Sequence, residues 1–306
     1  MSFKYRLSTL ATIVVSAGVI VAAALATYPG SNNGRVAFAM RVNGNVDIYS
    51  ALPNGNDLRR LTSDPGFDAC AAYSPSGKEI AFCSGRSGAF EIWKMKENGT
   101  KQTQVTHLNA FATFPDFSPD GSQIAFDANG VNGDPNDDIY VTGADGGAVG
   151  QLTHDAGNND YPVFSPDGSK IAFISDRTGV EQVWVMGSDG SNPTQLTFDP
   201  NTHDQLPDWS PDGSKIAYED DGYGNGDIMV MDSDGGNPHD VSNNPAEEFG
   251  AAWSPDGSQI LYVSFASGPR LVYVMNADGS NQHPLTGGTD TQFVPGWQPS
   301  GARLGN

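Results

Sequence analysis

Short apolar triplets recur along the chain at Ile80-Ala81-Phe82, Ile124-Ala125-Phe126, Ile171-Ala172-Phe173, Ile216-Ala217-Tyr218 and Ile260-Leu261-Tyr262. Successive side chains of a strand point to opposite faces, so three apolar residues in a row predict a strand covered on both sides. Ahead of each triplet an aromatic residue (Tyr73, Phe117, Phe164, Trp209, Trp253) is followed by Ser-Pro-Asp-Gly or a close variant. Pro presets φ at the second turn position and Gly takes the left-handed conformation that closes the turn, so aromatic, turn and triplet together predict a hairpin. A third apolar stretch follows (Ile92-Trp93, Ile139-Tyr140, Val183-Trp184, Ile228-Met229, Val272-Tyr273), then an Asn-Gly or Asp-Gly turn. A short strand ending in Leu-Thr, Val-Thr or Val-Ser completes each unit of four strands.

The turn motif begins at Ser74, Ser118, Ser165, Ser210, Ser254 and, degenerated, Gln298, at spacings of 44, 47, 45, 44 and 44 residues. A period of this length marks a propeller or an array whose units cannot bury their faces alone. The ends complete the count. Val36-Ala37-Phe38, Ile48-Tyr49 and Leu61-Thr62 supply a second, third and fourth strand with no first, while Phe293 to Trp297 supply a first strand with nothing after it. Joining them closes the ring and hides two strand edges. The expectation is an all-β, six-bladed β-propeller over residues 35–306, with four antiparallel strands per blade and a C-terminal strand completing the three N-terminal ones.

Segments such as Leu152-Thr153-His154-Asp155 and Tyr161-Pro162-Val163-Phe164-Ser165-Pro166-Asp167-Gly168-Ser169-Lys170-Ile171-Ala172-Phe173 resemble the WD40-like repeats of the TolB propeller family. The resemblance covers about residues 35 to 300. It implies a scaffold that binds protein, as the propeller of the family's namesake engages a peptidoglycan-associated lipoprotein. That namesake carries an α/β domain before its propeller. Only about ten residues lie here between the apolar leader and the first strand, so a stand-alone propeller is expected.

The leader has a basic start (Lys4, Arg6), an uncharged apolar run and a small-x-small motif at Ala24-Leu25-Ala26. Residues 1–26 read as a signal peptide or an uncleaved membrane anchor and 27–34 as a linker, so the propeller is expected to be exported, periplasmic or extracellular. A net charge of −20 repels a phosphate backbone and argues against nucleic acid, while suiting a protein or peptide partner. A monomer is expected. The two cysteines, Cys70 and Cys83, flank one Ser-Pro-Ser-Gly turn at positions that a simple hairpin sets opposite each other; a disulfide or two buried thiols both fit.

Strands alternate in direction, so the second-to-third loops and the blade crossings share one face. Length changes between repeats fall only there, at residues 127–138 and 198–205, which marks that face for recognition. Its loops are rich in Asp and Glu and carry four arginines (Arg41, Arg86, Arg177, Arg270). Asp68, Asn159, Asp204, Glu248 and Gln292 share one repeat position and are expected to ring the channel mouth, with Asp160, Asp176 and Arg177 beside them. Two acidic loops, Asp127 to Asp138 and Asp220 to Asp227, raise calcium, but neither has a fixed calcium-loop spacing, so no cofactor is expected. The five histidines (His107, His154, His203, His239, His283) do not form a metal-ligand motif, and no nucleophile elbow is present. A non-catalytic scaffold is therefore the expectation; a propeller-type polysaccharide lyase with a histidine-rich metal site is the enzyme alternative.

Overall fold

The computed structural model describes residues 32–222, 225–287, 291–293 and 295–300; the leader and the first part of the linker lie outside them. Six four-stranded antiparallel sheets form the blades of a propeller. The innermost strands are β24 (Gly296–Ser300) for blade 1, β4 (Asp68–Tyr73) for blade 2, β8 (Phe111–Phe117) for blade 3, β12 (Asn159–Phe164) for blade 4, β16 (Asp204–Trp209) for blade 5 and β20 (Glu248–Trp253) for blade 6. Blade 1 is closed as expected, by β24 pairing with β1 (Asn32–Val42) in the register Val36 with Trp297 and Ala37 with Gly296. β1 begins inside the expected linker because Asn32 and Asn33 pair with Ser300 and Pro299.

The repeated residues are accounted for by the fold itself. In blade 4 the Ser165 hydroxyl donates to Asp167 at 2.6 Å, Asp167 accepts the Ser169 N–H at 2.9 Å, and Lys170 N–H donates back to Ser165 at 3.0 Å. These donors hold the Asp167 carboxyl below its usual range. The glycine of the Asx-Gly turn has a second duty. A Cβ on Gly190 would lie 2.7 Å from the Leu152 carbonyl of the preceding blade, and one on Gly55 would lie 1.9 Å from Leu285 across the closure. Only glycine permits that approach and the positive φ of these turns. In blades 1 to 5 the Thr or Ser ending the outer strand caps the third strand, as Thr153 accepts the Ile139 N–H at 2.9 Å and donates to Asp138 at 2.6 Å; in blade 6 Gln292 takes that N–H instead. The aromatics before the turns, from Tyr73 to Trp297, are buried wedges between blades.

Every innermost strand from blade 2 to blade 6 carries a register shift halfway along, as between Asp160 and Val163. The first bulge residue has positive φ: Cys70, Phe114, Tyr161, Leu206 and Gly250. In three blades proline follows it, which suits a place where no ladder N–H is needed. The bulge also alters the cysteine pair. Cys83 lies opposite Ala69 and not Cys70, and the disulfide reaches diagonally with Cα atoms 5.5 Å apart.

Candidate functional site: the channel mouth

On the loop face of blades 2 to 6, the residue preceding the third strand accepts a hydrogen bond from the start of the next blade's innermost strand. Ala112 N–H donates to the Phe90 carbonyl (3.0 Å), Asn159 to Asp137 (2.7 Å), Asp204 to Glu181 (3.0 Å), Glu248 to Gly226 (2.8 Å) and Gln292 to Arg270 (3.2 Å). These bonds tie blade to blade around the axis and define the mouth. The expected polar ring is not what faces it. Asp68, Asn159, Asp204, Glu248 and Gln292 are all buried, none more than 3% exposed.

Their polar atoms are turned into the scaffold. Asp68 accepts the Ser84 hydroxyl (2.6 Å) and the Arg86 guanidinium (2.7 Å). Asn159 accepts from Arg177 at 2.7 Å, Glu248 accepts the Ser264 hydroxyl at 2.7 Å, and Gln292 takes the Val272 N–H at 3.1 Å and the Thr286 hydroxyl. Burial pushes the carboxyls of Asp204 and Glu248 up to about 7. The physical reason is pleat parity: the next residue along the strand points the other way, and there Asp160 and Gln205 remain partly exposed.

Three arginines of this face are likewise built into the fold. Arg86 lies 4.9 Å from the Trp93 ring centroid and Arg177 4.6 Å from that of Trp184. Arg177 also bridges to Asp155 at 2.9 Å. Arg270 is packed among Phe249, Phe265 and Phe293, with centroids 4.6 to 5.6 Å from its guanidinium carbon. Asp176 accepts two bonds from Asn158, each 2.8 Å, and so ties its loop to the crossing that leads into blade 4.

What varies around the mouth is the chemistry at equivalent positions. Two residues ahead of the recurring apolar pair of the third strand, blades 1 to 6 carry Val46, Phe90, Asp137, Glu181, Gly226 and Arg270. At the second position of the innermost strand segment they carry Phe293, Ala69, Thr113, Asp160, Gln205 and Phe249. Towards the end of the second strand they carry Ala39, Cys83, Asp127, Ile174, Glu219 and Val263. Blades 3 to 5 thus form an acidic sector, while blades 6, 1 and 2 form one that is apolar apart from the buried Arg270. Phe67, Phe90 and Phe111 extend the latter as a partly exposed row with centroids 5.8 and 4.7 Å apart.

Within the acidic sector, one oxygen from each of Asp127, Asp137 and Asp160 lies within 4.8 Å of the others. Asp127 accepts the Thr113 hydroxyl at 2.6 Å and Asp137 accepts the Asn129 amide at 2.7 Å. Burial, then the charge of Asp137, pushes Asp127 up to about 8. Burial, then Asp137, Asp127 and Glu181, raises Asp160 well above the carboxylate range. Glu219 is raised too, by burial and then by Asp221, Glu247 and Glu181. Carboxylates this close can share a proton or chelate a cation. Of the first loop flagged for calcium, only Asp127 and Asp137 join this group; Asp138 is bonded instead to Thr153 and Gln151. The acids of the second loop form no such group among the described residues.

The sequence reading missed Phe90, Glu181 and Glu219, and also Phe198, which is 71% exposed on the crossing between blades 4 and 5. Lining up the repeats and asking which columns change chemistry would have found the first three. On the opposite face a depression of ≈ 350 Å³ lies between the turns of blades 4 and 5, lined by Asp167, Asp212 and neighbouring turn residues. Those two aspartates are engaged in their own turns.

The class defined by this architecture is a six-bladed, TolB-type propeller. The family model described as the TolB beta propeller domain matches residues 5–128, 99–218 and 199–305, and the chain belongs to that family. A TolB homolog of Chlorobium luteolum is 40% identical over 53 residues, a stretch that spans 17% of this chain and only 12% of that protein. The crystal structure of TolB from Acinetobacter baumannii superposes with a TM-score of 0.76 at 25% identity, covering 89% of this chain and 68% of the other. An oligogalacturonate lyase from Vibrio parahaemolyticus shares the fold at 16% identity and a TM-score of 0.57, covering 87% of this chain and 79% of the lyase.

Proposed function

We propose that the protein is an exported, non-catalytic scaffold that captures a protein or peptide at the loop face and channel mouth. The observation that carries this is the divergence of chemistry around the mouth. A ring of repeats needs like residues at like positions, and the turns, caps and wedges obey that rule, whereas the mouth positions depart from it. No cofactor is required for this role.

The lyase alternative rests on shared fold. The one close group of metal-ligand types among the described residues contains no histidine. His107, His154, His239 and His283 are exposed, and His203 meets Glu181 at 3.1 Å. Elemental analysis of purified protein separates the two readings: stoichiometric transition metal would favour the enzyme.

The direct test is capture from an envelope or culture fraction with the wild type and with a mouth variant carrying Phe90→Asp and Asp160→Lys. Partners retained by the wild type and lost by the variant are expected. Identical partner lists, or none, would defeat the proposal.

A further inference from the structure

We infer that the mouth is built for a cationic side chain accompanied by an aromatic or large apolar one, so that the partner enters with a Lys or Arg beside such a residue. This deepens the binding proposal and rests on it. The acidic sector supplies one half of the case. Asp127, Asp137, Asp160, Glu181 and Glu219 crowd three consecutive blades, and the arginines of this face are held by other groups: Arg86 by Asp68, Arg177 by Asp155 and Asn159, and Arg270 by the rings of Phe249, Phe265 and Phe293. Burial first, and then the charge of neighbouring acids, raises Asp127, Asp160 and Glu219, while Glu181 meets His203 and Gln205. A like-charged cluster of this kind is relieved either by taking up protons or by a cation from outside the chain, and a cationic group can displace those protons.

A second observation lies deeper on the axis. Asp116 and Asp208 each accept an N–H from the innermost strand of the next blade, Phe164 at 2.8 Å and Trp253 at 2.7 Å. An innermost strand bonds its own blade on one edge only, so each of these carboxyls caps the free edge of its neighbour. Asp208 is 1% exposed, and its second oxygen has no hydrogen-bond partner. Buried carboxylate oxygens are seldom left so, and burial, with the charge of Asp116 adding to it, raises the Asp208 carboxyl well above the usual carboxylate range.

The apolar sector supplies the companion. Phe67, Phe90 and Phe111 present partly exposed rings directly beside the acidic arc, where an aromatic or aliphatic side chain gains burial while its basic neighbour meets carboxylates. An acidic peptide is repelled by one half of the ring and a wholly polar basic one gains nothing from the other.

The test is selection of a random dodecapeptide phage library on the immobilised full chain, at low and at high salt, with wild type and the Asp160→Asn/Glu219→Gln variant. Removing like charges relieves repulsion, so this variant folds at least as well as the wild type, which thermal melting verifies. Peptides pairing Lys or Arg with a nearby aromatic or large apolar residue are expected to be enriched about tenfold, the ratio that ~1.4 kcal/mol of contact energy gives. High salt and the double variant should both abolish the basic preference. Enrichment without basic residues, enrichment unmoved by the double variant, or no enrichment at all would each overturn the inference. If native partners are still captured in those cases, and lost on mutating the mouth, the scaffold reading stands without it.

Discussion

Blades 3 to 5 and blades 6, 1 and 2 share the same four-strand order, yet at the mouth their chemistry diverges. Where blade 2 places Cys83 in a disulfide, blade 3 places Asp127 and blade 5 Glu219, two carboxyls withdrawn from water and short of counter-charge. The difference teaches that the scaffold is indifferent to these positions. Blade cohesion comes from the capped turns, the Thr-to-strand bonds and the buried aromatic wedges, which leaves the mouth free to carry stored repulsion on one side and apolar surface on the other.

The sharpest way to break this comparison is to cut a latch that belongs to the scaffold. Asp68→Ala leaves the largely buried Arg86 without its carboxylate and should destabilise by about 3 kcal/mol in denaturant melts, whereas Asp160→Asn at the mouth should be neutral or stabilising. Equal losses would show that the mouth is structural after all. Next in size is the staple of the apolar half. Replacing Cys70 and Cys83 by Ser should lower stability by about 2 kcal/mol, and mass spectrometry of the unreduced protein should find no free thiol.

The acidic half should reveal itself through pH. The folded pKa of Asp127, about 8, lies above the unfolded 3.8, so the folded state keeps a proton that the unfolded chain loses. Its stabilising effect is complete below pH ~4 and fades as pH rises towards 8. Asp127→Asn should flatten that decline and raise Tm by about 5 °C at pH 8 while changing little at pH 4. An unchanged slope would mean the cluster is solvated. The smallest effect is expected for Phe90→Ala, about 1 kcal/mol in stability because the ring is only partly covered, with a much larger loss of partner capture.

The fold was legible because its determinants are local and repeated. Ser165-Pro166-Asp167-Gly168 satisfies its own polar groups, and Ile171-Ala172-Phe173 announces a strand covered on both faces. The closure was legible because Val36 to Asn54 keeps the spacing of Ile80 to Asn98. The site was only partly so. Asp160, and the loop holding Asp127 and Asp137, could be singled out from their acidity, but their convergence joins residues of neighbouring blades. Asp68, Asn159, Asp204, Glu248 and Gln292 were aligned correctly and assigned to the wrong side of the pleat. The hydrogen bonds that draw those side chains inward come from Arg86 and Arg177, each 18 residues on, from Ser84 and Ser264, each 16 residues on, and from Thr286; these spacings repeat but do not by themselves say which way the side chains turn.

The pairing of β24 with β1 joins residues near the two ends of the described chain. Blade 1 cannot form before Gly296 to Ser300 are available, however early β1 is made. Folding therefore finishes with a contact of very high sequence separation, the slowest kind to find. Until that strand arrives the inner edge of β1 lies open. A nascent chain in that state is still threadable, and it is also exposed to any strand that reaches the edge first.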